Sequence, residues 1–227
     1  KPKLLWFTAE NPMRLGKFNE SIIDIVGCII ENQRRNSPDT LQLDLDYTLS
    51  LLASGHVGNK SVQLEELIHY FVKNGADPNC TESALIHGEL KAVKILVEHG
   101  ADVNILVAAG TGQGDKLKSL VASADELTKR KALACAIACR QTNSCLILLK
   151  KGIDPNNYNP PGFHEHNTPL QLAIWANSIA LVECLLDSGA NPEIKDTMYK
   201  SDAIGWATHL ERKEIHSILS NFVENNS

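Results

Sequence analysis

The sequence predicts an all-α solenoid of about six to seven helix–turn–helix repeats. Two observations predict it. A short phrase recurs four times, as NGADPN (Asn74 to Asn79), HGADVN (His99 to Asn104), KGIDPN (Lys151 to Asn156) and SGANPE (Ser188 to Glu193). Each copy follows an apolar run of helical character: ELIHYFVK, AVKILVE, CLILLK and LVECLLD. A helix-plus-turn unit returning at tens of residues marks a repeat array. Such arrays present extended surfaces, which usually bind rather than catalyse.

The phrase has a physical reading. Gly75, Gly100, Gly152 and Gly189 stand just past a helix end, where a left-handed residue satisfies the last carbonyls and glycine has no Cβ to strain. The Asp or Asn two residues on is expected to bond to nearby turn backbone, and Pro78, Pro155 and Pro192 forbid helix continuation.

The other half of the unit is clearest at Thr168-Pro169-Leu170-Gln171-Leu172-Ala173. Thr168 can cap a helix, Pro169 suits its first position, and Leu170 and Ala173 point inward. This stretch resembles the T-P-L-H-x-A signature of the ankyrin repeat. Weaker versions are Thr48 to Ala53, Lys131 to Ala136 and Asp202 to Ala207. The resemblance covers roughly residues 40–223 and implies β-hairpin loops between helix pairs. It is specific for fold and nearly silent on function.

Taken in order, residues 1–43 are expected to form a degenerate capping repeat or a helical hairpin, with helices Leu4 to Glu10 and Asn19 to Asn32. Ile22, Ile25, Val26, Ile29 and Ile30 fall at helical spacing there. Residues 44–227 form the array and its C-terminal cap, read as one continuous solenoid. The second repeat carries an insertion, GHVGNKSVQ, between its helices. Gly75 and Gly100 are only 25 residues apart, which leaves two helices and little hairpin. The 52 residues from Gly100 to Gly152 divide into a compact unit, Ile105 to Ala124, and a second, Asp125 to Asn156. The 157–193 unit carries a lengthened hairpin, NNYNPPGFHEHN. Glu211 to Glu214, among Ile215, Ile218 and Leu219, give the last repeat a polar outer face, as a solenoid end requires.

Composition narrows the function. A net charge of −5 argues against a general nucleic-acid surface. No apolar stretch reaches the ~18 residues of a membrane span. Six scattered cysteines fit reduced thiols in a cytoplasmic protein, with Cys135, Cys145 and Cys184 replacing core aliphatics. Gly110 to Lys116 lacks the spacing of a phosphate loop and reads as an inter-helix turn. His164 and His166 could approach one ion, but zinc wants three or four ligands. No histidine sits in a nucleophile motif. The expectation is a monomer without catalytic residues, metal or cofactor.

In the register that the ankyrin resemblance implies, the groove-facing positions of the inner helices include His87, Cys139, Trp175, Ala176, His209 and Leu210. Trp175 stands out, because an exposed Trp is a typical interface anchor. Trp206 replaces a core Leu and reads as structural. The long hairpin adds Tyr158, Phe163, His164 and His166, and the next hairpin adds Met198 and Tyr199. The leading reading is a module that binds a partner protein or peptide in its concave groove. The alternatives are a scaffold or targeting region of a larger multidomain protein, and a metal-dependent protein using His164 and His166.

Overall fold

The computed structural model describes residues 5, 6, 8, 22–55 and 63–226. Thirteen helices and no strand occur among them. The loops carry turns where strand-paired hairpins were expected. By packing, the chain falls into two compact units, residues 1–103 and 104–227.

The first unit contains α1 (Ile22–Asn36), α2 (Pro38–Ser54), α3 (Leu64–Lys73), α4 (Thr81–Ile86) and α5 (Leu90–Glu98). Helices α2 and α4 pack as an inner layer and α3 and α5 as an outer one, with α1 against α2 and α3. Helix α1 buries Ile22, Val26 and Ile30, one stripe at helical period. The expected helix Leu4 to Glu10 and most of the GHVGNKSVQ insertion, with His56, lie largely outside the described residues. Thr48 does not start a helix. Pro38 takes the first helical position of α2, and Thr48 lies buried in its middle, its hydroxyl donating to the Asp44 carbonyl at 2.5 Å. The boundary expected at 43/44 therefore falls within a helix.

The second unit contains α6 (Ile105–Gly110), α7 (Gly114–Val121), α8 (Glu126–Ala138), α9 (Thr142–Leu149), α10 (Pro169–Trp175), α11 (Ile179–Asp187), α12 (Ala203–His209) and α13 (Lys213–Asn226). Helices α6, α8, α10 and α12 pack in succession as the inner layer, and α7, α9, α11 and α13 as the outer one. The split of residues 105–156 into two units matches α6–α7 and α8–α9. The Gly110 to Lys116 cluster spans the end of α6, the turn at 111–113 and the first turn of α7.

Capping decides where these inner helices start. Asn104, Asp125, Thr168 and Asp202 each accept a backbone N–H from the first turn, and Thr168 forms a full capping box with Gln171. Such caps contribute about 1 kcal/mol each. Asp125 starts α8 well before Lys131, so the Lys131 to Ala136 stretch lies inside the helix.

The inner-to-outer turns share one closure. The backbone N–H groups of Glu89, Gln113, Gln141, Ser178 and Arg212 return to the carbonyls of Ala84, Ala108, Ala136, Ala173 and Ala207. This is the 6→1 bond of a Schellman cap. The residue before each donor has positive φ: Gly88, Gly112, Arg140, Asn177 and Glu211. At the outer-helix ends Gly75, Gly100 and Gly189 play that part, with Ala76, Ala101 and Ala190 donating to Phe71, Leu96 and Leu185. The recurring acid or amide also closes its own turn. Asp77, Asp154 and Asn191 accept from the backbone N–H two residues on. The final Asn of the phrase reaches the next turn: Asn79 accepts from Asp102 N, and Asn156 from Asn191 N.

The thiols divide by depth. Cys135, Cys139 and Cys145 are buried, and Cys184 is only half-buried, unlike the core aliphatic it was expected to replace. The neighbouring Cys145 thiol donates to Cys184 and holds it at about 7 against the opposing effect of burial. The same contact, with burial, pushes Cys145 up.

Candidate functional site

Two loops of the second unit build the site's wall. The 157–167 loop is ordered by its own bonds: Asn159 N donates to Asn167 O at 2.9 Å, Asn159 Nδ2 to Asn167 Oδ1 at 2.7 Å, and Phe163 N to Pro160 O. Pro160 and Gly162 favour a turn, and His164 takes the left-handed conformation, φ 59°. The next loop, between α11 and α12, lies alongside. Thr197 N donates to His166 O at 2.8 Å, and the Tyr158 hydroxyl to Lys195 O at 2.7 Å.

Two buried polar side chains fix that second loop. Gln171, fully buried in the first turn of α10, donates from Nε2 to Ile194 O at 2.8 Å and Ser201 O at 3.2 Å. Asp196, also buried, accepts from the backbone N–H of Met198, Tyr199 and Ser201 at 2.9, 2.6 and 2.9 Å. It accepts as well from the Trp206 indole Nε1 at 3.1 Å. Burial works to raise the Asp196 carboxyl, but these donors outweigh it and hold the group below the usual carboxylate range. The carboxylate therefore stays charged and braces the loop.

Between the loops and the ends of α10 and α12 lies a cavity of about 590 Å³. His164, His166, Trp175, Tyr199 and Trp206 line it as a ribbon of rings. Trp175 lies 5.4 Å from His164, His166 lies 6.1 Å from Trp206 at an interplanar angle of 28°, and Tyr199 meets Trp206 edge-on at 6.3 Å. Asn167, Ser201, His209 and Leu210 complete the lining. Trp175 is 41% exposed and Tyr199 70%.

The cavity brings together six expected residues: His164, His166, Trp175, Tyr199, His209 and Leu210. Tyr158 and Met198 are exposed but lie outside its lining. Three expectations are corrected. Phe163 is 2% exposed and packs inward, with the Lys131 ammonium 5.0 Å from its ring centroid. Ala176 and Cys139 are buried at the ends of α10 and α8, where the tight inner-to-outer turn covers them. His87 belongs to the first unit, where its Nδ1 lies 2.8 Å from Ser83 O.

Trp206 also departs from expectation. It occupies the position of Leu172 in the repeat, yet it is only part-buried and faces the cavity. Helix α12 is the last inner helix, so no further inner helix among the described residues covers that side. Its partner Asp196, the determinant of the loop, has no counterpart among the residues expected from the sequence. The spacing of an acid ahead of a run of turn residues, DTMYKS, is the signal that could have found it.

His164 and His166 stand 6.5 Å apart, edge to face, a poor arrangement for sharing an ion. Among the described residues no three His, Cys, Asp or Glu side chains form a metal-binding group. No helix among them is long and apolar enough to cross a membrane.

A search of curated proteins returned no match. The family model described as ankyrin repeats, three copies, matches residues 23–196. That span covers most of the chain, and it takes in both asparagine links between turns and every capped helix pair and Schellman turn described above except those of α12 and α13. The chain belongs to the ankyrin-repeat family.

Proposed function

We propose that this chain is a protein–protein interaction module whose second unit seats a segment of a partner protein in the aromatic cavity. Ankyrin repeats are generally protein-interaction modules and typically not enzymes. The observation that carries the reading is the exposed Trp175 beside Tyr199 and Trp206 on one concave wall. Large rings with few rotatable bonds bury much area at low entropy cost, which is why Trp and Tyr dominate binding hot spots. The wall is braced by Gln171 and Asp196, so the site is formed before a partner arrives and less ordering opposes binding. Six thiols without a disulfide support a reducing, cytoplasmic setting.

The test is selection of displayed random peptides on the wild-type chain, followed by binding to Trp175→Ala. Truncating a hot-spot Trp typically weakens binding by more than ~1 kcal/mol. Enriched peptides should lose at least that, while the melting temperature of the variant stays within the error of the wild type. Peptides that bind the variant equally well, or a variant that melts early with binding intact, would refute the assignment of Trp175.

A further inference from the structure

We infer that the aromatic cavity of the second unit recognises a cationic side chain on its protein partner. The inference rests on the interaction reading above and specifies its chemistry. Three observations carry it. First, the rings of Trp175, Tyr199 and Trp206 line one cavity together, and aromatic faces attract a cation through their quadrupole, Trp most strongly. Second, the lining contains no Lys or Arg, and its other titratable members are the imidazoles of His164, His166 and His209. Third, the Trp206 indole N–H donates to the Asp196 carboxylate at 3.1 Å.

That hydrogen bond has an electronic consequence. A charged acceptor on Nε1 pushes electron density into the indole, as bonded groups polarise one another in a poorly screened interior. It also sets one negative charge at the edge of the ring, in line with the N–H. The carboxylate is saturated by its four donors, so it is not free to bond the ligand and acts through the ring and through space. An apolar anchor such as Leu would fill the cavity but gain nothing from Asp196. A carboxylate would be repelled by it. A guanidinium or ammonium gains from both the rings and the charge, and guanidinium can also stack flat on indole.

The experiment compares two small probes that differ by one charge at equal shape, acetyl-arginine amide and acetyl-citrulline amide. Each is titrated into the full chain while the indole N–H signals of Trp175 and Trp206 are followed by NMR. The arginine probe should bind about tenfold more tightly, a size in keeping with a partly desolvated cation–π contact. Trp206→Leu, which restores the residue found at position 172, should abolish the preference. Trp206→Phe keeps a ring but loses the bond to Asp196 and should reduce the preference at least threefold, with circular dichroism confirming the fold of both variants. Equal binding of the two probes, binding of neither, or a preference that survives in Trp206→Leu would overturn the inference. The two failures are distinguishable. Selected peptides that depend on Trp175 but carry no cation would leave the interaction module standing and remove only its cation preference.

Discussion

Replacing Asp196 by Ala tests the bracing of the site directly. The substitution removes one carboxylate and strands four donors. Met198 and Tyr199 are largely exposed at the loop tip, so water can take over their two N–H groups. Ser201 and Trp206 are part-buried, so the Ser201 N–H and the Trp206 indole N–H are harder to rehydrate. A hydrogen bond to a charged group contributes about 1.5–3 kcal/mol. Counting the inner two and discounting for their shared acceptor gives a loss of about 2–4 kcal/mol. Repeat arrays couple only to nearest neighbours, so the loss should centre on α10 to α13. Hydrogen exchange should show lost protection there, with α6 to α9 retained, and urea denaturation should give the magnitude. The pH dependence has a definite sign. The folded Asp196 carboxyl lies below its ordinary value, so its contribution is complete above the unfolded range near ~4 and disappears as pH falls through the folded value. The difference between wild type and variant should therefore be full at neutral pH and shrink under acid. A loss under ~0.5 kcal/mol at neutral pH, the size of an ordinary surface change, would refute the bracing. So would a loss that does not vary with pH.

The same structure sets three other outcomes. Leu185→Asp puts an unpaired charge at a fully buried position and should destabilise the second unit by more than ~4 kcal/mol, visible as an early or missing melting transition; an unchanged melt would show the residue is not core. Arg140 holds φ at 57° with its side chain outside the core, so Arg140→Gly should raise stability by about 0.5–1 kcal/mol in urea denaturation; destabilisation would mean the side chain matters more than the backbone. Cys184, held at about 7, should be alkylated faster at neutral pH than the buried Cys135, Cys139 and Cys145, as read by peptide mass spectrometry after a short iodoacetamide pulse. Equal rates would show that the Cys145 contact does not activate it.

The helix pairs were legible because each carries its own punctuation. Gly past the outer helix, Asp or Asn in the turn and a capping residue before the inner helix are local signals, and local physics places them. Helix starts were less legible where the cap lies upstream of the repeat signature, as with Pro38 and Asp125. The site was half legible. The register that the ankyrin resemblance implies grouped Trp175, His209 and Leu210, and the structure gathers them around one cavity. Phe163 was misplaced because a lengthened loop has no period, and whether its ring turns in or out depends on the turn at Pro160 and on Lys131 beyond it. Trp206 was misread because its burial depends on whether another inner helix covers α12. Asp196 was invisible because four donors converge on it only after the loop has folded.

The inner-to-outer turns of the second unit are uniform, and its outer-to-inner connections are not. The connection from α7 to α8 spans only residues 122–125, while that from α9 to α10 spans 150–168. The left-handed Gly152 and the Thr168 capping box close the helices at the two ends of the long connection, so residues can be inserted between them without changing either helix. Within this loop and the one between α11 and α12, a few buried side chains, Phe163 and Asp196 among them, belong to the fold, and the exposed positions around them are free to vary. If the proposed reading holds, exchanging the exposed positions of 157–167 and 193–201 while keeping the buried Phe163 and Asp196 should alter what is bound and leave the framework of Gln171, Asp196 and the helix caps in place.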